Sequence, residues 1–397
     1  MSTRDPGEFA RSVRLNGFLA DLRELVAIDS GTDDPAGVNA VLDILEGWMR
    51  GDGWELERHR CGPLQDGTAR SDLLVGRIEG RGRGRVLLVG HADTVFERGT
   101  AAVRPLRVEG GRVLGPGVCD MKGGLVLGLA AVRALSEGGR EGLGRVTFLI
   151  TPDEEIGSPG SREGIRAEAR DHDVAFVLEA AREDGSVVSA RKGVTTAAIR
   201  LRGRAAHAGV EPERGRSALL AAARLLLALQ GLNDPARGTT VNVGVLRGGS
   251  RPNVVPEFAE LEVDVRAVAL EAQERVEGAV RELVARPWVE GVVAGLHLAR
   301  EHAPMERTPA TERLVALACE LAAELGFDLR DASTGGCSDA NTIAALAVPT
   351  LEGWGGGGGD DHSEREWIEL ATIPERSALL AGLIARGPEA VRGVPPA

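Results

Sequence analysis

What this chain of 397 residues has little of narrows its class first. Its four cysteines, Cys61, Cys119, Cys319 and Cys337, lie far apart. They show neither the dense even spacing of a disulfide framework nor a C-x-x-C pair, so all four read as reduced, and Cys119 and Cys337 as buried small hydrophobes. A long uncharged run is also missing, so no membrane partner is expected. The opening segment MSTRDPGEFARSVRLNG lacks the apolar block of a secretory signal, which gives the expectation of a cytoplasmic protein. Basic stripes are absent and the net charge is −12. Binding to a phosphate backbone depends on clustered Lys and Arg, so no nucleic acid partner is expected.

What is present is an ordinary globular mix, 43% apolar and 27% charged. The length exceeds the roughly 100–200 residues of one typical domain and predicts two domains. Apolar runs at 71–78 (SDLLVGRI), 85–90 (RVLLVG), 145–150 (RVTFLI) and 173–180 (DVAFVLEA) predict buried strands. Helical spacing over Phe18-Leu19-Leu22-Leu25-Val26, 35–50, 122–136 and 160–169 makes helices alternate with them. That rhythm predicts an α/β domain whose mainly parallel sheet is covered by helices. GRGRGR at 80–85 could contact RNA, but between two strands its glycines suit a tight turn, and the turn is the reading adopted.

From about 193 the rhythm becomes strand 193–202, helix 215–231, strands 239–247 and 257–267, helix 269–285 and strand 291–299. This β-α-β-β-α-β order is ferredoxin-like, about a hundred residues able to close their own small core. It predicts an inserted domain, 193–303, within a discontinuous α/β domain, 1–192 and 304–397. The second part of the latter reads as helix 311–326, strand 327–331, helix 338–346, strand 347–352, a glycine-rich loop and a helix from about 365.

His91-Ala92-Asp93 directly follows the strand RVLLVG, at the carboxyl end where open α/β sheets place ligands. A histidine there can ligate zinc while the aspartate accepts a hydrogen bond from its ring. Alone, such a pair is more often a loop histidine beside a capping aspartate, so the weight falls on convergence with other strand ends. GPGVCDMKGG at 115–124 sets Asp120 in a loop before a helix, where an N-cap is the competing role. TPDEEIGSPGSR at 151–162 puts Glu154 and Glu155 side by side beyond RVTFLI. Adjacent carboxylates repel, which makes sense there if one binds a cation and the other handles a proton. Glu179 closes DVAFVLEA, where a bare carboxylate is costly to bury. In LEGWGGGGGDDHSEREW at 351–367, His362 follows five glycines and two acids, either a flexible surface loop or a metal loop.

With GHADTV at 90–95, VLEAAREDGSVVSARKGV at 177–194, GRAAHAG at 203–209, NVVP at 253–256, DVR at 264–266 and GGCSDAN through DDHS, these motifs resemble the M20 family of metallopeptidases. The resemblance covers nearly the whole chain and is strongest to the glutamate carboxypeptidase-like branch. It implies two zinc ions, with cobalt or manganese able to substitute. His91 and Glu179 would bind one, Glu155 and His362 the other, and Asp120 would bridge both through a loop with a cis Asp120–Met121 peptide. Asp93 would support His91, and Glu154 would be the base. Two Zn²⁺ against three carboxylates leave one positive charge. That charge favours ionisation of a water held between the ions, as the lowering of a zinc water's pKa to about 7 illustrates. Glu154, off the metals, can take that proton and pass it to the leaving amine. Ala340 departs from the pattern, standing where relatives are expected to carry glycine, and adds a methyl near the implied substrate pocket.

The same resemblance implies that the inserted domain dimerises and closes over the site, delivering His207 from a partner subunit to stabilise an oxyanion. By sequence alone His207 is an exposed loop histidine. Asn253 and Arg266 match positions facing substrate. The Arg266 fork suits a carboxylate, although a strand arginine can also snorkel. Gly335 and Gly336 match a loop whose backbone N–H groups can meet the same carboxylate. The expectation is a homodimer that cleaves a peptide-like amide beside a free carboxylate, on a small amino-acid or peptide substrate. Two alternatives stand beside it: an N-acyl amino acid deacylase of the acetylornithine deacetylase or desuccinylase kind, and a non-catalytic zinc scaffold. Against the scaffold, a closed structural site has no use for an unliganded base such as Glu154.

Overall fold

The run Val86-Leu87-Leu88-Val89 has no polar face to offer solvent, and it forms the middle of the main sheet. This is a computed structural model that describes residues 14–62, 70–137 and 143–393. The opening segment read above therefore lies, as far as residue 13, outside the described residues. The chain divides into two compact units, one built from residues up to Ser189 with Arg307–Ser333 and Ser338 onward, the other from Ala190–Glu306 with Thr334–Cys337.

The first unit begins with α1 (Leu15–Val26), α2 (Pro35–Gly51), β1 (Glu55–Arg60), β2 (Asp72–Glu79), β3 (Arg85–His91) and the single turn α3 (Thr100–Val103). It continues with β4 (Arg107–Glu109), β5 (Arg112–Leu114), α4 (Gly123–Glu137), β6 (Arg145–Thr151), α5 (Arg162–Ala169), β7 (Val174–Val177) and β8 (Val187–Arg191). Local chemistry explains the starts. The Asp34 side chain accepts from the Gly37 N–H and Pro35 opens the first turn, so α2 is capped where its buried stripe Val38-Val41-Leu42-Leu45-Met49 begins. α4 is buried from Gly123 to Leu129 without a polar stripe, as a helix covered on all sides must be.

The second unit holds β9 (Gly193–Arg202), α6 (Ala218–Gln230), β10 (Thr240–Gly248), β11 (Phe258–Ala267), α7 (Leu270–Ala285) and β12 (Val293–His302). Its strands pair antiparallel in the order β10-β11-β9-β12, the ferredoxin-like arrangement expected from the sequence. Its own core includes Ile199, Leu225, Leu261, Val265 and Val280.

The first unit resumes with α8 (Pro309–Leu325), β13 (Asp331–Thr334), α9 (Asp339–Ala344), β14 (Thr350–Glu352), β15 (Gly358–Gly359), β16 (Trp367–Glu369) and α10 (Ile373–Ala390). Eight strands form its main sheet in the order β1-β2-β6-β3-β7-β14-β8-β13. The central pairs β6·β3, β3·β7 and β7·β14 are parallel, and antiparallel pairs flank them. A second small sheet, β15-β16-β5-β4, joins distant loops.

Several expectations shift. β1, ELERHR, carries no apolar run because it is a largely exposed edge strand. The strand expected at 327–331 is β13, starting at Asp331. The last helix starts at Ile373 because residues 367–369 are taken up in pairing with β5. GRGRGR is not a hairpin turn: β6 lies between β2 and β3, and the Gly80 and Gly82 N–H groups donate to Gly144 and Leu143 carbonyls at 2.9 and 2.7 Å as the link crosses its end. Among the described residues no helix is long and apolar enough to cross a membrane.

Candidate metal centre

Parallel pairing brings three strand ends to one edge. His91 lies opposite Thr151, Val89 lies opposite Val177, and the Leu178 N–H donates to the Val89 carbonyl at 2.8 Å. His91 at the end of β3, the Glu154-Glu155 turn beyond β6 and Glu179 beyond β7 therefore emerge together. A Cβ on Gly124 would lie 2.0 Å from the Leu178 carbonyl oxygen, so only glycine lets α4 begin against the backbone leading to Glu179. Asp120 sits in the tight turn Val118–Lys122, and its peptide to Met121 is cis as expected. Its carboxylate meets two histidines, not a helix N–H, so the N-cap role is set aside. The five glycines before His362 are no flexible surface loop: Gly355–Gly358 are buried. A Cβ on Gly358 would meet the Trp367 carbonyl at 2.3 Å.

Two donor groups result, His91 with Asp120 and Glu179, and Asp120 with Glu155 and His362, each with its atoms within 4.8 Å of one another. His91 Nε2 stands 2.9 Å from Asp120 Oδ1 and 3.5 Å from Glu179 Oε1. His362 Nε2 stands 3.0 Å from Asp120 Oδ2 and 3.3 Å from Glu155 Oε2. Glu154 belongs to neither group.

Asp93 ties these parts together. His91 Nδ1 lies 2.9 Å from its carbonyl oxygen and 3.4 Å from its Oδ1. The Asp93 carboxylate also accepts from the backbone N–H groups of Glu154 and Glu155, both at 3.2 Å, and from Thr32 Oγ1 at 2.7 Å. It therefore orients the His91 ring and the paired glutamates at once.

The electrostatics are those of crowded acids. Burial and the Glu179 charge raise Glu154 well above the carboxylate range. Burial and Asp120 push Glu179 up to about 7, and burial also raises Glu155. Against the pull of burial, Glu179 and the bonds to Asp120 and Asp93 raise the His91 imidazole. Bonds to Asp120 and Glu155 push His362 up to about 10. In Asp120 the two histidines outweigh burial and hold the carboxyl below its usual range. Glu155 Oε1 is buried without a hydrogen-bond partner. Imidazole nitrogens and carboxylate oxygens gathered this way, with an unsatisfied buried oxygen, fit a pair of divalent cations such as zinc.

Sequence reasoning missed several supporting groups. Glu366, fully buried, accepts three backbone N–H groups of the Asp120 loop, and its place four residues after His362 was a legible signal. Asp339 of GGCSDAN accepts from Thr151 Oγ1 at 3.1 Å and from Ser158 Oγ, bracketing the glutamate turn; burial pushes it up to about 6. Lys122 Nζ donates to the Leu25 and Ile28 carbonyls, and burial brings it down to about 7. Ala340, next to Asp339, is fully buried in the first turn of α9, its N–H bonded to Ser338 Oγ at 3.1 Å.

The residues matched to substrate all belong to the second unit. His207 is exposed, and its Nδ1 accepts from the Gly209 N–H at 3.2 Å. Exposed Asn253 accepts on its carbonyl from Ala208 at 3.0 Å. Arg266 does not snorkel: it donates to Asp264 at 3.0 and 3.2 Å and to the Gly335 carbonyl at 2.9 Å. Gly335 and Gly336 are exposed.

Comparison with known proteins gives the family. The model of peptidase family M20/M25/M40 matches residues 87–386. The chain is 32% identical to carboxypeptidase G2 of Pseudomonas sp. (strain RS-16) over 91% of this chain and 87% of that protein. It is 31% identical to an acetylornithine deacetylase of Myxococcus xanthus over 66% of this chain and 70% of that one. In fold it is similar to the aminopeptidase PepT of Bacillus cereus, with a TM-score of 0.81 and 23% identity over 95% of this chain and 99% of the other. With its His, Asp and Glu donors gathered at the ends of parallel strands, the chain belongs to peptidase family M20/M25/M40 and is a metallohydrolase.

Proposed function

We propose that the chain is a two-zinc hydrolase that cleaves a peptide-like amide beside a free carboxylate, in the manner of a glutamate carboxypeptidase. The observation that supports this most is the Asp120 carboxylate, whose two oxygens each meet a different histidine while Glu154 stays outside both donor groups. In this reading His91 and Glu179 hold one ion, Glu155 and His362 the other, and Asp120 joins them. When bound, the ions supply Lewis acidity toward the scissile carbonyl and the attacking water. Glu154 accepts the water's proton and passes it to the leaving amine. Its raised pKa suits a proton carrier, and nearby cations would draw it back toward the ionised form. His207 donates a hydrogen bond to the oxyanion, delivered from a partner subunit in a homodimer formed through the second unit. Arg266, Asn253 and the Gly335 and Gly336 amides receive the substrate carboxylate, which must share or displace the pairing of Arg266 with Asp264. The protein would work in the cytoplasm on a small amino-acid or peptide substrate.

A second reading, an N-acyl amino acid deacylase with the same metals, is favoured by the 31% identity to an acetylornithine deacetylase. A panel of folate-like, dipeptide and N-acetyl amino acid substrates, assayed with zinc, cobalt and manganese, separates them. Release of a carboxyl-terminal glutamate at the highest kcat/KM supports the carboxypeptidase. Preferential removal of acetyl groups assigns the deacylase instead.

A further inference from the structure

We propose that Glu366 is a positioning residue of the metal centre, its carboxylate acting as the template that holds the Asp120 loop against His362. The small sheet creates the opportunity. β16 pairs antiparallel with β5, Trp367 opposite Leu114, so the chain entering β16 at Glu366 runs beside the chain leaving β5 toward Asp120. There the fully buried carboxylate accepts on Oε2 from Gly117 N–H at 2.8 Å and on Oε1 from Cys119 and Asp120 N–H at 2.7 and 3.0 Å. Three amides of one short loop thus converge on one side chain, and the last belongs to Asp120 itself. The segment that carries Glu366 also carries His362, which stands 3.0 Å from Asp120 Oδ2. One stretch of five residues therefore supplies a donor at its beginning and the mould for the shared aspartate at its end. The requirement is for a carboxylate. An amide keeps one acceptor oxygen but turns an N–H₂ toward a backbone N–H, leaving at least one of the three donors facing another donor.

The inference rests on the reading of Asp120 as the ligand common to both ions, and the test separates the two. Full-length protein is stripped of metal, its Zn²⁺ affinity is measured by competition with a chromophoric chelator, and the absorption spectrum of the Co²⁺-loaded form is recorded. Glu366→Gln should lose about 10–100-fold in Zn²⁺ affinity and alter the Co²⁺ spectrum, as removal of partners that orient ligands typically does. Glu366→Asp, which keeps both acceptor oxygens on a shorter arm, should fall between that variant and the wild type. Leu321→Ala, a buried change on α8, should lower Tm and leave Zn²⁺ affinity alone. Wild-type affinity and an unchanged spectrum in Glu366→Gln, whatever its Tm, would overturn the proposal. If Asp120→Ala nevertheless loses both ions, the metal-centre reading survives that failure; if Asp120→Ala keeps both, that reading itself falls. Should the Glu366 variants not fold, the wild type decides: without metal, the Gly117, Cys119 and Asp120 amides should stay protected from hydrogen exchange, because the carboxylate holds them. Exchange there at unprotected rates would overturn the proposal.

Discussion

Glu154 and Glu155 are neighbours in the chain with opposite assignments, and the difference lies in what surrounds each carboxylate. Glu155 faces His362 at 3.3 Å, whereas Glu154 sits beyond the donors with its pKa raised by burial and by Glu179. Glu154→Gln should therefore lower kcat by at least the ~10²–10⁴ typical of a lost acid–base group while two metals remain bound. Loss of metal, or near-wild-type turnover, would contradict that role. Asp120→Ala, by contrast, should weaken both ions together in a metal titration; one ion held at full affinity would undo the sharing. A pH dependence follows from the same groups. In the metal-free protein Glu179 is pushed up from 4.5 to about 7 and His362 from 6.5 to about 10. Each binds more protons folded than unfolded, so the stability His362 contributes is present below 6.5 and lost through about 10, and Glu179 becomes costly between 4.5 and 7. Metal binding through these two groups would require both deprotonated and would release protons. At a fixed buffered free zinc concentration, the gain in Tm on adding zinc should be larger at about pH 8 than at about pH 6. An equal gain would show that these groups do not ligate.

At the scale of elements, the loops that hold the donors depend on partners with no sequence signature of their own. Arg376 of α10 is buried, and its guanidinium donates to the carbonyls of Gly353, Gly355 and Gly185, with burial bringing it down to about 10. It organises the glycine segment leading to His362. Arg376→Met should leave those carbonyls unpaired at roughly 1–3 kcal/mol each, seen as a lower midpoint in urea unfolding. An unchanged midpoint would mean the loop holds itself. This also explains what was legible in the sequence. β3, β6 and β7 were, because strands buried on both faces read as continuous apolar runs, and the donors at their ends followed from the parallel arrangement. The ferredoxin-like unit was legible from element order. β1, β4, β5, β15 and β16 were not, since short, exposed or glycine-built strands carry no periodicity. Arg376 was hidden for a different reason, since its partners are backbone carbonyls distant in sequence, whereas Glu366 left one trace, its place four residues after His362.

For the whole molecule, the proposed chemistry needs groups from both units, since the metal donors belong to one and His207, Arg266 and Asn253 to the other. A donor to the developing oxyanion acts mainly in the transition state, so His207→Ala should lower kcat by about 10²–10³ and leave metal content unchanged. Should His207 act across a homodimer, mixing His207→Ala with Glu154→Gln subunits should restore activity, because one site then has an intact base and an intact histidine. No recovery after verified subunit exchange would reject delivery from the partner. The central claim, metal-dependent cleavage beside a free carboxylate, is tested most directly with one matched pair of substrates. A peptide-like amide of glutamate is assayed with its α-carboxylate free and again as the carboxamide, on metal-stripped enzyme before and after zinc is restored. The account predicts turnover of the free acid only, absent without zinc and regained with it. Turnover that survives metal removal, or equal cleavage of the acid and the carboxamide, would contradict it.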